Sequence, residues 1–110
     1  MYNVYLVCSE IEGKKLYKIG YTRREVEKRI KEFKTGNASE FYIIDSFQSK
    51  WGTKIEAKLK RSYSHFNISG EWFDLPESEI SKFKMICQKT HDNLDFLSTN
   101  NTFIIDNGWI

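Results

Sequence analysis

Cysteine is scarce in this chain, at two residues, and so is histidine, also at two. Cys8 and Cys87 form no CxxC pair and have no zinc-like spacing, so a metal cluster built on sulfur is not expected. Two isolated thiols fit a reducing compartment better than a disulfide scaffold. Neither sign of charge dominates: 17 basic residues against 15 acidic ones leave +2, too little by itself to call for a nucleic-acid partner. No apolar run approaches the ~20 residues that span a bilayer, and no signal-peptide pattern is visible. GxGxxG, P-loop and HExxH motifs are all missing. The expectation is a soluble, cytoplasmic protein with no membrane partner.

What is present describes one packed domain. A length of 110 residues allows a single modest core, and 40% hydrophobic with 15% aromatic content argues against disorder. There is no internal repeat, no low-complexity tract and no linker that would divide residues 1–110. Lysine and arginine crowd residues 14–34 and 50–61, while acidic residues balance them towards the tail.

Tyr2 to Cys8 (YNVYLVC) is rich in aromatic and β-branched residues, as a half-buried or fully buried strand is. Ser9 to Lys15, with Gly13, reads as a hairpin loop, and Leu16 to Tyr21 as the returning strand. On that strand Leu16, Lys18 and Gly20 share one face, and Tyr17, Ile19 and Tyr21 the other. Lys18 then marks either a face that meets something polar or an edge strand guarded against aggregation. Thr22-Arg23-Arg24-Glu25 reads as a capping box. It opens a helix near Arg23 with Val26, Ile30 and Phe33 on one stripe and a stop near Gly36.

Phe41 to Phe47 is a third strand, apolar enough for the inside of a small sheet. Lys50 to Phe66 is expected as a second helix with Ile55, Leu59, Tyr63 and Phe66 on its core face. Gly70 to Leu75 is a short aromatic segment after a turn, either another strand or a core-locking extended piece. Asp74 then caps a third helix, with Pro76 in its first turn and Ile80, Phe83, Ile86 and Cys87 towards the core. From Thr90 to Ile110, Asn93, Asn100, Asn101 and Asn107 separate short apolar runs, and a terminal hairpin is expected. The fold class is α/β (α+β): a small, mainly antiparallel, three-stranded sheet flanked by helices.

Two charged residues stand out by position. At ~100° per residue, Arg29 lies roughly 65° from the centre of the first helix's stripe, whereas Arg24, Lys28 and Lys31 point away. An arginine there is a snorkelling side chain, half of an ion pair, or a fixed cation over a shallow site. Glu56 has the same offset on the second helix, roughly 65°. Thr53-Lys54-Ile55-Glu56 is a second capping box, and spacing alone favours that reading of Glu56. His65 and His91 have no ligand partner at helical spacing, and Cys8 in an apolar strand reads as an inert core thiol.

Taken in order, these pieces resemble the GIY-YIG nuclease superfamily, and within it the branch of small T5orf172 or MUG113-like domains. The matching residues are Val4-Tyr5-Leu6, then Lys18-Ile19-Gly20, Arg29 within VEKRI, Glu56 on the following helix, and the branch hallmark Gly70-Glu71-Trp72-Phe73. The resemblance covers residues 2–75, leaving a C-terminal helix and tail over 76–110 outside it. The chain departs from the pattern with Val4 for a glycine, Lys18 for the second-motif tyrosine, and Phe33 and Lys60 where relatives carry histidine.

The resemblance implies a metal-dependent DNA endonuclease that hydrolyses a phosphodiester with one Mg²⁺ or Mn²⁺. Carried over, Glu56 is the protein's only metal ligand and Arg29 holds the scissile phosphate. Tyr5 is the base or positions the water, with Tyr17 beside the substituted motif position. Lys18 binds phosphate, or serves as base if its pKa is depressed. Asn67 corresponds to an asparagine that follows the glutamate in many members. DNA contacts are expected from Arg23, Arg24, Lys28, Lys31, Lys58, Lys60 and Arg61. Specificity then comes from loops, a homodimer or a targeting partner protein, or is low. The alternative is a catalytically degenerate module that binds nucleic acid or protein. Viral, mobile-element and restriction settings all fit.

Overall fold

The computed structural model describes residues 1–33 and 41–100. The helix stop read near Gly36 and the tail beyond Asn100, including Asn101 and Asn107, lie outside the described residues.

Tyr2–Ile11 (β1) and Lys14–Thr22 (β2) pair antiparallel from Asn3↔Thr22 to Ile11↔Lys14. Only Glu12 and Gly13 remain for the turn, both left-handed at φ 52° and 79°. Two such residues match the twist of the strands they join. The loop is therefore shorter than the Ser9–Lys15 segment suggests, because its ends join the ladder. Phe41–Ser49 (β3) pairs antiparallel with the other side of β1, with a register shift at Leu6/Val7. Asn67–Ser69 (β4) and Trp72–Phe73 (β5) make a short hairpin, and β5 meets β2 at Tyr17↔Phe73.

The sheet thus has five strands in the order β3-β1-β2-β5-β4, correcting the expected three. Pieces of three and two residues carry too little alternation to be read from sequence. The inside position belongs to β1, not β3. Tyr42, Ile43 and Ile44 of the edge strand β3 are 53%, 38% and 42% exposed.

Because β1 is covered on both faces, its apolar run is continuous. Val4, Leu6 and Cys8 face one core with Tyr17 and Ile19; Tyr5 and Val7 face another with Val26 and Ile30. Val26–Phe33 (α1) covers the second face. Gly52–Ser62 (α2) and Phe83–Asn100 (α4) cover the first, through Ile55, Leu59, Phe83, Cys87 and Leu94. The short helix Glu77–Ile80 (α3) bridges to α4.

Three helix starts differ from the sequence reading. Thr22 Oγ1 accepts the Arg24 amide at 3.1 Å, but α1 begins at Val26, so Thr22 closes a turn ahead of the helix. The residue at the start of α2 is Trp51, with no side-chain cap bond, which places Thr53 and Glu56 inside the helix. The second capping box is therefore not formed. Pro76, not Asp74, precedes α3, and the Asp74 carboxylate meets Lys14 Nζ at 2.7 Å. α2 also ends at Ser62, and a 3₁₀ turn over Ser64–Phe66 completes the segment read as one helix. Residues 90–100 continue α4 where a hairpin was expected. The stripe of Phe83, Cys87 and Leu94, none more than 1% exposed, outweighs the turn preference of Asn93. Among the described residues no helix is long and apolar enough to cross a membrane.

Candidate functional site

The single β2–β5 pair at Tyr17 leaves the outer edge of Lys18–Thr22 without a strand neighbour among the described residues. At that edge opens a cleft of about 300 Å³. Its lining includes Tyr5 from β1, Lys18 and Gly20 from β2, Arg29 from α1, Glu56 and Lys60 from α2, and Glu71 from the β4–β5 turn. The open edge is what lets helices from opposite faces of the sheet reach one site.

Tyr5 and Gly20 are partners across the hairpin. A Cβ on Gly20 would overlap the Tyr5 hydroxyl and ring, so glycine is what gives the phenol its place against β2. Tyr5 is 2% exposed, and its hydroxyl lies within the electrostatic influence of Arg29. Burial pushes the phenol's pKa up, and the Arg29 cation opposes that only in part. Tyr5 is accordingly a neutral hydroxyl.

Arg29 Nη1 donates to Glu32 Oε1 at 2.8 Å, and its guanidinium carbon lies 4.7 Å from the centre of the Phe33 ring. Arg24 Nη2 reaches the same Glu32 oxygen at 2.8 Å. Hydrogen bonds from Arg24 and then Arg29 hold the Glu32 carboxyl down to about 2. Lys18 sits deeper, with its side chain 19% exposed and Nζ 4.3 Å over the same Phe33 ring. Its ammonium meets Glu71 Oε2 at 2.8 Å, and the Glu71 carboxyl is lowered by that bond first, with Lys60 and Arg29 assisting. On the opposite wall the Glu56 side chain is 17% exposed, and its carboxylate is 3.5 Å from Lys60 Nζ.

An aromatic chain extends from Tyr5, the one of its rings that lines the cleft. Ring centres are 6.2 Å apart for Tyr5–Phe33, 5.5 Å for Phe33–Phe41 and 6.0 Å for Phe41–Trp72. Phe33, on the core stripe and at a position where relatives of the resembled family carry histidine, carries both Lys18 and Arg29. Its position on the Val26–Ile30 stripe signalled burial and gave no sign of the two cations.

Four residues named from the sequence as catalytic converge here: Tyr5, Lys18, Arg29 and Glu56. Lys60, named for DNA contact, joins them. Tyr17 does not, since alternation turns it into the other core, 8% exposed and hydrogen-bonded to Cys8. Asn67 is also outside the cleft. Its Nδ2 donates to the carbonyls of Gly70 and Trp72, both at 3.0 Å, and so shapes the turn that carries Glu71. Gly70 takes φ 54° in that turn, the left-handed conformation glycine adopts without cost. Glu71 was noted as part of a motif without a role; only the turn, closed far along the chain, brings it to Lys18.

The basic residues divide between surfaces. Arg23 donates to the Tyr2 hydroxyl at 2.7 Å, Arg24 is held by Glu32, and Lys28 and Lys31 are exposed on α1. Lys58 and Arg61 turn with Lys54 towards α4, where a larger hollow of about 470 Å³ has Leu94 and Leu97 in its lining. Among the described residues that hollow is lined by no carboxylate, histidine or cysteine.

Among the described residues no group of three or more His, Cys, Asp or Glu side chains could form an all-protein metal cage. A hard cation needs less than a cage when water and phosphate oxygens complete its shell. Glu56 suits that arrangement: its carboxylate caps no helix and lies 3.5 Å from Lys60 Nζ.

A second polar chain is structural. His91 Nδ1 is 2.7 Å from Ser49 Oγ, and Nε2 is 3.1 Å from Asp95 Oδ2, so His91 does have a partner at helical spacing. Ser49 is fully buried and accepts the Trp51 amide at 2.9 Å, while Asp95 Oδ1 accepts from Trp51 Nε1 at 2.7 Å. A serine nucleophile must be reachable, so this chain clasps α4 to the start of α2.

No curated protein and no solved structure matches the chain. A family model does: that of the T5orf172 domain, over residues 3–88, which includes every residue of the cleft. The chain belongs to the T5orf172 domain family.

Proposed function

We propose that the protein is a metal-dependent DNA endonuclease of the GIY-YIG type, with the cleft at the β2 edge as its site. The observation that carries this reading is the meeting of Tyr5, Arg29 and Glu56, from three separate elements, in a cleft where Glu56 has no capping role. Glu56 would hold one Mg²⁺ or Mn²⁺, which supplies Lewis-acid charge neutralisation at a phosphate oxygen.

The chain's own residues account for the rest. Arg29 offers a planar guanidinium, steadied by Glu32 and Phe33, to phosphate oxygens. Lys18 Nζ, 2.8 Å from Glu71 Oε2, stands where an anionic phosphate oxygen would be received. Tyr5, neutral and lining the same cleft as Arg29, orients the attacking water through its hydroxyl instead of taking a proton as phenolate. Lys60 adds positive charge on the Glu56 wall.

One observation favours a second reading, a non-catalytic nucleic-acid-binding or protein-interaction module. Lys18, Arg29 and Lys60 each already face a carboxylate, so the cleft is near electrical balance. Mn²⁺ titration followed by amide NMR separates the two. Paramagnetic broadening centred on Glu56, and lost in Glu56→Gln, supports the enzyme; no localised broadening supports the module.

A further inference from the structure

The three cleft cations are not held alike. Glu32 and Glu56 lie on helices, whereas Glu71 stands on the turn between two very short strands. Its side chain is 62% exposed while that of Lys18 is 19% exposed. Lys18 is thus the fixed member of the pair, set over Phe33, and Glu71 the movable one. A carboxylate on a cation at the mouth of a phosphate-binding cleft presents what a phosphodiester would present: anionic oxygen at hydrogen-bond distance, here 2.8 Å.

Resting on the cleft as the phosphate site, we propose that Lys18 is an anion seat and that Glu71 occupies it until a substrate phosphate takes its place. Entry of phosphate at Lys18 then exchanges one anion for another, and the released Glu71 turns to solvent on its hairpin. Asn67 and Trp72 hold the frame of that hairpin, one through the Gly70 and Trp72 carbonyls and the other by stacking on Phe41. Glu71 would act as a positioning residue that discriminates against weak anions, since a ligand must outcompete a tethered carboxylate.

The test uses inorganic pyrophosphate as probe, in EDTA, with amide NMR shifts of Gly70 and Glu71 locating the binding. Glu71→Gln keeps the side chain's shape and removes its charge. It should bind pyrophosphate roughly two- to fivefold more tightly than wild type, the scale of an exposed ion pair. Lys18→Met should weaken binding, and adding Glu71→Gln to it should restore nothing. Equal or weaker binding by Glu71→Gln, or no pyrophosphate binding at this turn in any variant, overturns the proposal. Plasmid nicking by the same wild-type preparation reports on the nuclease separately. Nicking with no effect of Glu71→Gln sinks the seat alone, and the pyrophosphate effect without nicking sinks the nuclease alone.

Discussion

The hydroxyl and ring of Tyr5 fill the volume that a side chain on Gly20 would need, and the two residues are cross-strand partners in the β1–β2 hairpin. The phenol is therefore seated by an omission in the neighbouring strand. Gly20→Ala must push Tyr5 aside or shift the strand backbone, and overpacking of this kind costs about 1–3 kcal/mol. Urea denaturation should show that loss. A variant as stable as wild type would mean that Tyr5 has room to relocate.

Glu56→Ala should cost less than the loss of a helix cap, because the half-buried residue caps nothing and its carboxylate pairs with Lys60 only at 3.5 Å, an i,i+4 contact of about 0.3–0.5 kcal/mol. A helix cap would cost about 1 kcal/mol. Thermal or urea melting distinguishes the two, and a loss of the larger size would reinstate the capping box read from Thr53 and Glu56.

Acid should weaken the protein partly through Glu32. Its carboxyl is held at about 2 against an ordinary 4.5, so the folded state favours the charged form. A lowered folded pKa contributes stability that is complete above the unfolded value and is lost as pH falls through the folded one. Wild type should thus lose stability between about 4.5 and 2, and Glu32→Gln should show a shallower decline over that window. The measurement is urea unfolding of both proteins at a series of pH values. Parallel curves would contradict the Arg24–Glu32–Arg29 arrangement.

Neither thiol should react in the folded protein. Cys87 is fully buried, and burial pushes its thiol up to about 12; burial also raises Cys8. A thiol reagent should label nothing under native conditions and two cysteines after unfolding. Rapid native labelling would show that α4 opens.

The sequence made the cleft legible where chemistry and periodicity agree. The offsets from the apolar stripes singled out Arg29 and Glu56 without a role, and spacing alone made Glu56 a cap; the family resemblance is what joined them to Tyr5 and Lys18. Tyr17 was named beside the motif position, and the strand alternation read from the sequence is what carries it to the opposite face from Lys18, outside the cleft. Both capping boxes had the right residues at the right spacing but were overruled by where the helices start, which packing of Val26 and Gly52 decides. β4 left no pattern, β5 showed only as a short aromatic segment within Gly70 to Leu75, and the asparagines of α4 hid a helix that Leu94 anchors. Glu71 needed the folded turn, since nothing local connects it with Lys18.

The central claim is that the cleft cuts DNA with a metal held by Glu56. The most direct measurement is nicking of supercoiled plasmid with Mg²⁺ or Mn²⁺, against EDTA, for wild type, Glu56→Ala and Arg29→Ala. Metal-dependent nicking by wild type, abolished in both folded variants, is the predicted result. Absence of nicking by wild type, or nicking that survives Glu56→Ala, would contradict it.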